Sequence, residues 1–248
     1  RYGAMSEQDL LSEAQRLGIH VLALTDINNT SACLNFIRLA PRYGVRPVVG
    51  VDFRRGAKQM FVALAKNNEG FHEINQLLSH HLHTGEAMPE RAPNFHHVYV
   101  IYPYHAGIPV DSLCAHEFIG VAPIQPPRSL LSNPATPRDK YVLLITSTFR
   151  HKRDFNIHRI LRAIDNNTLL SKLPPDEEGD PTDKMYAPAD IMEKCSDYSF
   201  LIKNSEALLA RCHIYFTFSD EKPSQNQHSY TGDRDQDYDL IHQLCWEG

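Results

Sequence analysis

The sequence predicts an α/β fold in which buried strands alternate with amphipathic helices over the first two thirds of the chain. Three observations support this: short apolar runs that fit buried strands, apolar residues at helical spacing between them, and capping signals at the boundaries. Helices between buried strands indicate parallel pairing through crossover connections. At 248 residues, either a closed α/β barrel or a doubly wound open sheet satisfies this pattern.

The first helix and strand have the clearest boundaries. Ser6 and Asp9 form a capping-box pattern that begins a helix, and Gly18 ends it. The apolar run 19–25 then predicts a buried strand, and a second helix follows over about 30–43.

The later elements continue the alternation. Further apolar runs predict strands, and segments with apolar residues at helical spacing predict helices. In the last of these helices, Ile157, Ile160, Leu161 and Ile164 share one stripe, as in an amphipathic helix. The predicted strands are 46–53, 59–65, 97–102 and 140–146, and the predicted helices are 69–82 and 154–164.

Three segments have the composition of loops. Residues 122–139 are rich in proline, residues 174–188 are acidic and interrupted by proline, and residues 219–237 are polar without large aliphatic side chains.

Composition limits the class of protein. The net charge of −5 argues against nucleic-acid binding driven by overall charge. No apolar run is long enough for a membrane span, and the five widely spaced cysteines include no C-x-x-C pair. We therefore expect a cytoplasmic protein without a disulfide framework or membrane contact. Because the chain begins at Arg1, we expect a fragment of a longer protein.

Candidate functional residues follow two predicted strands. In both α/β architectures the chemistry lies at the carboxyl ends of the strands. Asp26 and Asp52 occupy such positions and could share a divalent cation. The alternative is that Asp26 caps a helix or stabilises a turn.

Histidines and basic residues supply two weaker signals. His80 and His83 lie three residues apart on a predicted helix and could meet one metal ion, although an exposed helix end is the stronger interpretation. Lys152, Arg153 and Arg159 belong to a basic segment that could contact a phosphate backbone. A solvated helix face is the competing interpretation.

Several long segments together resemble the PHP (polymerase and histidinol phosphatase) domain of bacterial DNA polymerase III alpha subunits. The wording of LTDINNTSA and KRDFNIHRILRAIDNN resembles the Bacteroidetes branch of that family. The segments that carry the resemblance are 5–53, 61–81, 149–170, 185–195 and 204–218.

The resemblance implies a specific architecture. The fold would be an α/β, PHP-type, seven-stranded (β/α)7 distorted TIM-like barrel. The PHP domain would span residues 1–238 and lack its first strand motif, an H-x-H sequence that would precede Arg1. Residues 239–248 would begin the connection to the polymerase palm, and the remaining polymerase would be absent, so this fragment would not polymerise DNA.

The resemblance also identifies metal-ligand positions. Active members bind up to three metals through histidines and acids at the strand ends. The T-D-H motif corresponds to Thr25-Asp26-Ile27, and the D-x-H motif corresponds to Thr146-Ser147-Thr148. Isoleucine and threonine cannot replace imidazole as ligands of a transition metal. The degenerate positions are Ile27, Thr146 and Thr148, and the residual metal candidates are Asp26, Asp52 and His81, with His80 as an alternative to His81.

We therefore expect a degenerate, non-catalytic PHP domain. It would act as a scaffold within a replicative DNA polymerase, contact DNA only through the full polymerase, and dock a proofreading exonuclease subunit. No cofactor is expected, although the residual candidates could retain a divalent cation (Zn²⁺, Mn²⁺ or Mg²⁺). The alternatives are an active metal-dependent phosphoesterase or 3′–5′ exonuclease of the PHP family, and a free enzyme resembling histidinol phosphatase.

Overall fold

A computed structural model of the chain describes residues 3–124, 126–132, 137–218 and 229–247. Within these ranges the chain forms one six-stranded sheet and eight α-helices, and no helix is long and apolar enough to cross a membrane. The strands are β1 Val21–Ile27, β2 Arg46–Arg55, β3 Lys58–Ala65, β4 Val98–Pro103, β5 Glu117–Val121 and β6 Tyr141–Leu143. The helices are α1 Glu7–Leu17, α2 Cys33–Leu39, α3 Asn68–Thr84, α4 Ser129–Ser132, α5 Lys152–Asp165, α6 Pro188–Lys194, α7 Ser199–Ala210 and α8 Arg234–Glu247.

The chain divides into two compact units, Arg1–Tyr215 and Phe216–Gly248. The first unit contains the sheet and α1 to α7, and the second contains α8. Of the loop predicted over 219–237, residues 219–228 lie outside the described residues, and α8 begins at Arg234. The predicted boundary between 238 and 239 falls inside α8, and it stays a prediction.

The strands pair in sequence order, β1-β2-β3-β4-β5-β6. The pairs β1–β2, β4–β5 and β5–β6 are parallel, whereas β3 runs antiparallel to both β2 and β4. The expectation of uniformly parallel strands is therefore wrong at β3. Only Gly56 and Ala57 connect β2 to β3, with φ of 57° at Gly56, and so short a connection reverses the chain.

The fold is a mixed α/β fold whose sheet curls into a half-barrel, with β1 and β6 at its edges. The described residues form six strands rather than the seven that the resemblance implies. β5 has no counterpart among the predicted strands. The strand predicted at 140–146 is only Tyr141–Leu143, because the chain then leaves the sheet and the N–H of Thr148 donates to the carbonyl of Asp183 at 2.8 Å.

A buried cluster contributed by β2, β3, β4, β6, the C-terminal part of α7 and the residues just after it forms the core on one side of the sheet. Ser205 on α7 accepts a hydrogen bond from the N–H of Leu143 at 2.7 Å, which fastens the helix to the short edge strand. α3 lies close to the start of β4, since a Cβ at Gly70 would collide with the carbonyl of His97. The cluster contains Val48, Val62, Leu64, Tyr99, Ile101, Val142, Leu208 and Cys212.

The local signals in the first part of the chain are confirmed. Ser6 accepts from the N–H of Asp9, whose carboxylate accepts from the N–H of Ser6, and this reciprocal pair begins α1. Gly18 ends the helix with φ of 72°. The helix predicted at 30–43 is α2 followed by a 3₁₀ turn, Ala40–Tyr43.

α5 is amphipathic in the opposite sense to a helix that packs its apolar stripe on the core. Ile157, Ile160 and Ile164 are 39%, 48% and 64% exposed. Leu161, the fourth member of the predicted stripe, is half-buried, and the buried side of the helix carries Asp154 and His158, together with Arg162. An ordinary surface helix buries its apolar stripe, and α5 does not. The spacing of its apolar residues therefore does not reveal which face of α5 is covered.

The acidic segment predicted as a loop covers the polar face of α5. Imidazole Nε2 of His158 accepts from the N–H of Gly179 at 2.8 Å, and both residues are buried. Arg159 binds Glu178 at 2.8 Å, and Arg162 forms an ion pair with Glu177. These contacts supply the partners that the polar side chains of α5 require when they are buried.

Candidate functional site

Two adjoining clefts lie at the carboxyl ends of the strands. The first, of about 360 Å³, is lined by residues from the ends of β1 and β2 and from the segment after β6. The second, of about 410 Å³, shares Arg54, Gln59 and Thr146 with the first. Five residues selected from the sequence meet in the first cleft: Asp26, Ile27, Asp52, Thr146 and Thr148.

The parallel pairing of β1 with β2 explains why these positions meet. Ile27 lies opposite Asp52 in the register, so both strands reach the same edge of the sheet together. Thr146 and Thr148 follow β6, the strand at the other edge, and the curl of the sheet brings this segment into the lining of the same cleft.

A buried ion pair dominates the charge of the cleft. Asp52 is 4% exposed and Arg54 is 6% exposed. Nε and Nη2 of Arg54 each lie 2.8 Å from carboxylate oxygen Oδ2 of Asp52. Burial raises the pKa of Asp52, and Arg54 counteracts that effect. The guanidinium is therefore the cation that balances this buried carboxylate.

Asn28 holds Arg54 in place through its main chain. The Asn28 side chain donates to the carbonyl of Arg54 and accepts from the N–H of Arg54, both at 2.9 Å. Asn28 has a left-handed backbone with φ of 48°, which asparagine tolerates better than most residues. These two bonds continue the pairing of β1 and β2 beyond the last residue of β1.

Asp183 brings a further carboxylate to the second cleft. Burial and the nearby charge of Asp180 raise the pKa of Asp183 to about 7, although Arg54 acts in the opposite direction. The carbonyl of Asp183 accepts from the N–H groups of Thr148 and Phe149 at 2.8 and 3.0 Å. The loop that covers α5 thus also delivers an acid to the strand ends.

Asp26 is partly buried at the end of β1. Burial raises the pKa of its carboxyl, and the negative charge of Glu7 adds to the increase. Glu7 lines the same cleft. Glu7 and Asp26 therefore repel each other in the first cleft, and Arg54 is engaged with Asp52 rather than with Asp26.

The histidine candidates lie elsewhere. His81 is half-buried in the last turn of α3, where its Nδ1 lies 3.1 Å from the carbonyl oxygen of Glu86, and the lining of neither cleft includes it. His80 lies 3.3 Å from the carboxylate of Glu86. The structure therefore brings Asp26 and Asp52 together but does not add His81 to them.

The candidate nucleic-acid contacts lie at the start and middle of α5. Lys152 and Arg153 are exposed. Arg159 is paired with Glu178, which neutralises part of the basic segment. Arg150 is likewise paired, with Asp9 and Asp154 at 2.8 Å each. The role of this segment in DNA contact stays a prediction.

Sequence reasoning missed Arg54 and Asp183. A signal for Arg54 exists, because opposite charges two residues apart on a strand share a face. A bulge between Phe53 and Arg54 weakens that inference. No local signal identifies Asp183, which lies in a segment read as a loop.

Among the described residues, the cleft does not assemble the set of ligands that the multi-metal centre of an active PHP domain uses. Such a centre needs several carboxylate and imidazole ligands directed at the same ions. In the part of the chain that the structure describes, no three His, Cys, Asp or Glu side chains are grouped closely enough to hold a metal ion. Oδ1 of Asp52 is buried without a hydrogen-bond partner there, but Oδ2 is already bound to Arg54.

Comparisons with known proteins agree with the resemblance drawn from the sequence. The PHP domain family model matches residues 2–115. An error-prone DNA polymerase of Symbiobacterium thermophilum is 34% identical over 77 residues, which is 31% of this chain and 7% of that protein. A DNA polymerase III subunit alpha of Xylella fastidiosa is 31% identical over 77 residues, which is 29% of this chain and 6% of that protein. An error-prone DNA polymerase of Mycobacterium bovis is 33% identical over 95 residues, which is 34% of this chain and 9% of that protein.

The matched stretch spans less than a tenth of the length of these relatives. The family match ends before Thr146 and Thr148, so the assignment of those two positions rests on the resemblance described above. The Bacteroidetes assignment stays a prediction. Within these bounds, residues 2–115 match the PHP domain family, and a short stretch of the chain is similar to DNA polymerase III alpha and to error-prone DNA polymerases.

Proposed function

We propose that this chain is a degenerate PHP domain that serves as a scaffold in the alpha subunit of a replicative DNA polymerase. One observation carries the proposal: the cleft at the strand ends gathers the positions assigned to metal ligands, but Ile27, Thr146 and Thr148 occupy three of them. Their side chains offer an aliphatic group and two neutral hydroxyls. Neither is a good ligand for a hydrolytic zinc or manganese centre.

The charge of the clefts supports the absence of phosphodiester hydrolysis. Asp26, Asp52 and Asp183 are acidic, and the charge of Arg54 is already balanced by Asp52. A phosphodiester anion that enters without metal ions is repelled by these carboxylates. Catalysis on phosphates also needs cations that neutralise the developing charge.

We also propose that the half-barrel is completed by a further strand at β1. β1 pairs with β2 on one side, and no backbone hydrogen bond among the described residues reaches its other edge. Parallel edge strands are normally covered. A strand there would give the seven-stranded barrel that the resemblance implies.

The outward face of α5 supports a docking role. Ile157, Ile160 and Ile164 form an exposed apolar stripe, which we call the α5 stripe. Exposed apolar side chains in a row are characteristic of protein interaction sites. We propose that the α5 stripe docks a proofreading exonuclease subunit, with DNA contacted through the rest of the polymerase and the assembly located in the cytoplasm.

Replacing Ile160 and Ile164 by serine tests the docking role. We expect the purified full-length protein to lose affinity for the exonuclease subunit by at least about tenfold. Leu82→Ser is the matched control, because Leu82 is an exposed apolar residue of α3, 89% exposed. Unchanged binding by the Ile160→Ser/Ile164→Ser variant would show that the subunit docks elsewhere.

Metal content and hydrolysis test the degenerate site. We expect elemental mass spectrometry of the full-length protein to find no stoichiometric zinc or manganese. We expect no hydrolysis of single-stranded DNA or a generic phosphodiester when Mn²⁺ or Zn²⁺ is added. Turnover that Asp26→Ala or Asp52→Ala abolishes would instead establish the alternative, an active PHP phosphoesterase or 3′–5′ exonuclease. The carboxylates of the two clefts are the observation that favours this alternative.

A further inference from the structure

A buried arginine occupies an unusual position in this site. Arg54 is 6% exposed at the end of β2, and moving a charged side chain out of water is costly unless a partner compensates it. Asp52 supplies that compensation through two contacts of 2.8 Å to its Oδ2. The pair lies at the strand ends rather than in the apolar core cluster.

The backbone of Arg54 is equally well fixed. Both polar groups of the Asn28 side chain bind its main chain at 2.9 Å. A side chain that starts from a pinned backbone and ends in an ion pair has little freedom to leave the cleft. Its positive charge is therefore a permanent feature of the site.

Arg54 shares its surroundings with several acids, and its charge acts on Asp52 and Asp183. Arg54 contributes to the lining of both clefts. Asp26 and Asp52 lie in the first cleft with it, and Asp180 and Asp183 lie in the second. Carboxylates collected at the carboxyl ends of strands need a cation near them, because their mutual repulsion otherwise opposes folding.

We propose that the guanidinium of Arg54 is the resident cation of this site and takes the electrostatic role that a divalent metal ion would have among these carboxylates. The inference deepens the proposed function and rests on its premise that the domain works without metal. The guanidinium stabilises the strand ends without any bound metal ion. A metal ion is then disfavoured at Asp52, because Arg54 already occupies carboxylate oxygen Oδ2 and repels a second cation beside it.

Four variants of the full-length protein test this proposal by thermal unfolding. Arg54→Met removes the charge at similar length, and Arg54→Lys keeps the charge but loses the two-donor fork. Asp52→Asn/Arg54→Met removes both charges of the pair. Arg55→Met is the matched control, because the neighbouring Arg55 pairs with the exposed Glu90 at 3.1 Å. Each protein is measured with EDTA and with millimolar Mn²⁺.

We expect Arg54→Met to lower the unfolding midpoint of this domain by about 10 °C, since it leaves a buried carboxylate unpaired. Arg54→Lys should fall between this variant and the wild type, and Arg55→Met should stay near the wild type. The double variant should recover more than half of the loss, because it leaves no unpaired charge. EDTA and Mn²⁺ should not shift the wild-type midpoint.

Three results would overturn the proposal: a wild-type midpoint that rises with Mn²⁺, an Arg54→Met variant no less stable than Arg55→Met, or a double variant without recovery. If Arg54→Met does not fold, folding of the double variant supports the proposal and its failure to fold refutes it. These measurements need neither DNA nor a partner. They can fail while the docking test succeeds, so the two proposals are separable.

Discussion

The contact between α5 and the acidic loop leads to a quantitative prediction. Nε2 of His158 accepts from the N–H of Gly179 at 2.8 Å, and both residues are buried. His158→Phe keeps an aromatic ring against Phe149 and Phe155, whose ring centroids lie 5.0 and 6.2 Å from that of His158. The substitution removes the acceptor and leaves the Gly179 N–H without this partner.

The cost follows from burial. A buried donor that loses its partner costs about 1–3 kcal/mol of the free energy of unfolding. For a domain of this size each kcal/mol corresponds to about 2–4 °C, so the midpoint should fall by roughly 2–12 °C. The same hydrogen bond holds the loop against α5. Without it, we also expect faster amide exchange over residues 177–183, the part of the loop that reaches the clefts through Asp183.

Thermal unfolding and hydrogen exchange of the full-length protein measure both effects. His83→Phe is the matched control, because His83 is exposed on α3. A His158→Phe variant that unfolds at the wild-type midpoint, with unchanged exchange over 177–183, would refute the conclusion that α5 holds the loop.

Two further predictions concern other buried acids. The pKa of the buried Asp154 lies below its usual value, because hydrogen bonds and charge from Arg150, with a smaller effect of His151, outweigh desolvation. The contribution of Asp154 to stability is therefore complete above the usual Asp pKa of about 3.9, and it disappears as the pH falls through the lower folded-state pKa. Arg150→Met should therefore lose stability at neutral pH and show a flatter acid limb in pH-dependent unfolding; an acid limb parallel to that of the wild type would contradict this. Glu117→Gln should cost about 1–3 kcal/mol in denaturant unfolding, because its buried carboxylate accepts from Tyr102, from the N–H of Cys114 and from Arg91; a cost near zero would show that the charge is dispensable.

Much of the local structure could be read from the sequence because its causes are local. The reciprocal bonds of Ser6 and Asp9 and the left-handed Gly18 are set by neighbouring residues, and they bound α1 as predicted. Asp26 and Asp52 were expected at one edge of the sheet, and the parallel pairing of β1 with β2 places them there. The resemblance also located Thr146 and Thr148, which line the same cleft.

The face of α5 that is buried could not be read from spacing. The Ile157, Ile160 and Ile164 stripe has the pattern of a core-facing helix, yet it is exposed. The polar side is buried because residues 177–179, far along the chain, supply its hydrogen-bond and ion-pair partners. A hydrophobic pattern records which side chains are apolar, whereas burial depends on what packs against them.

The sequence by itself determined most of the alternation of strands and helices, the capping of the first helix, and the acids at the strand ends. Only the tertiary structure decided that β3 reverses direction between β2 and β4, that Arg54 neutralises Asp52, and that a distant loop adds Asp183. Capping and periodicity depend on residues within a few positions of one another. The charge balance of the site depends on groups that approach only when the sheet curls and the loop closes over it, and desolvation then makes their pairing decisive.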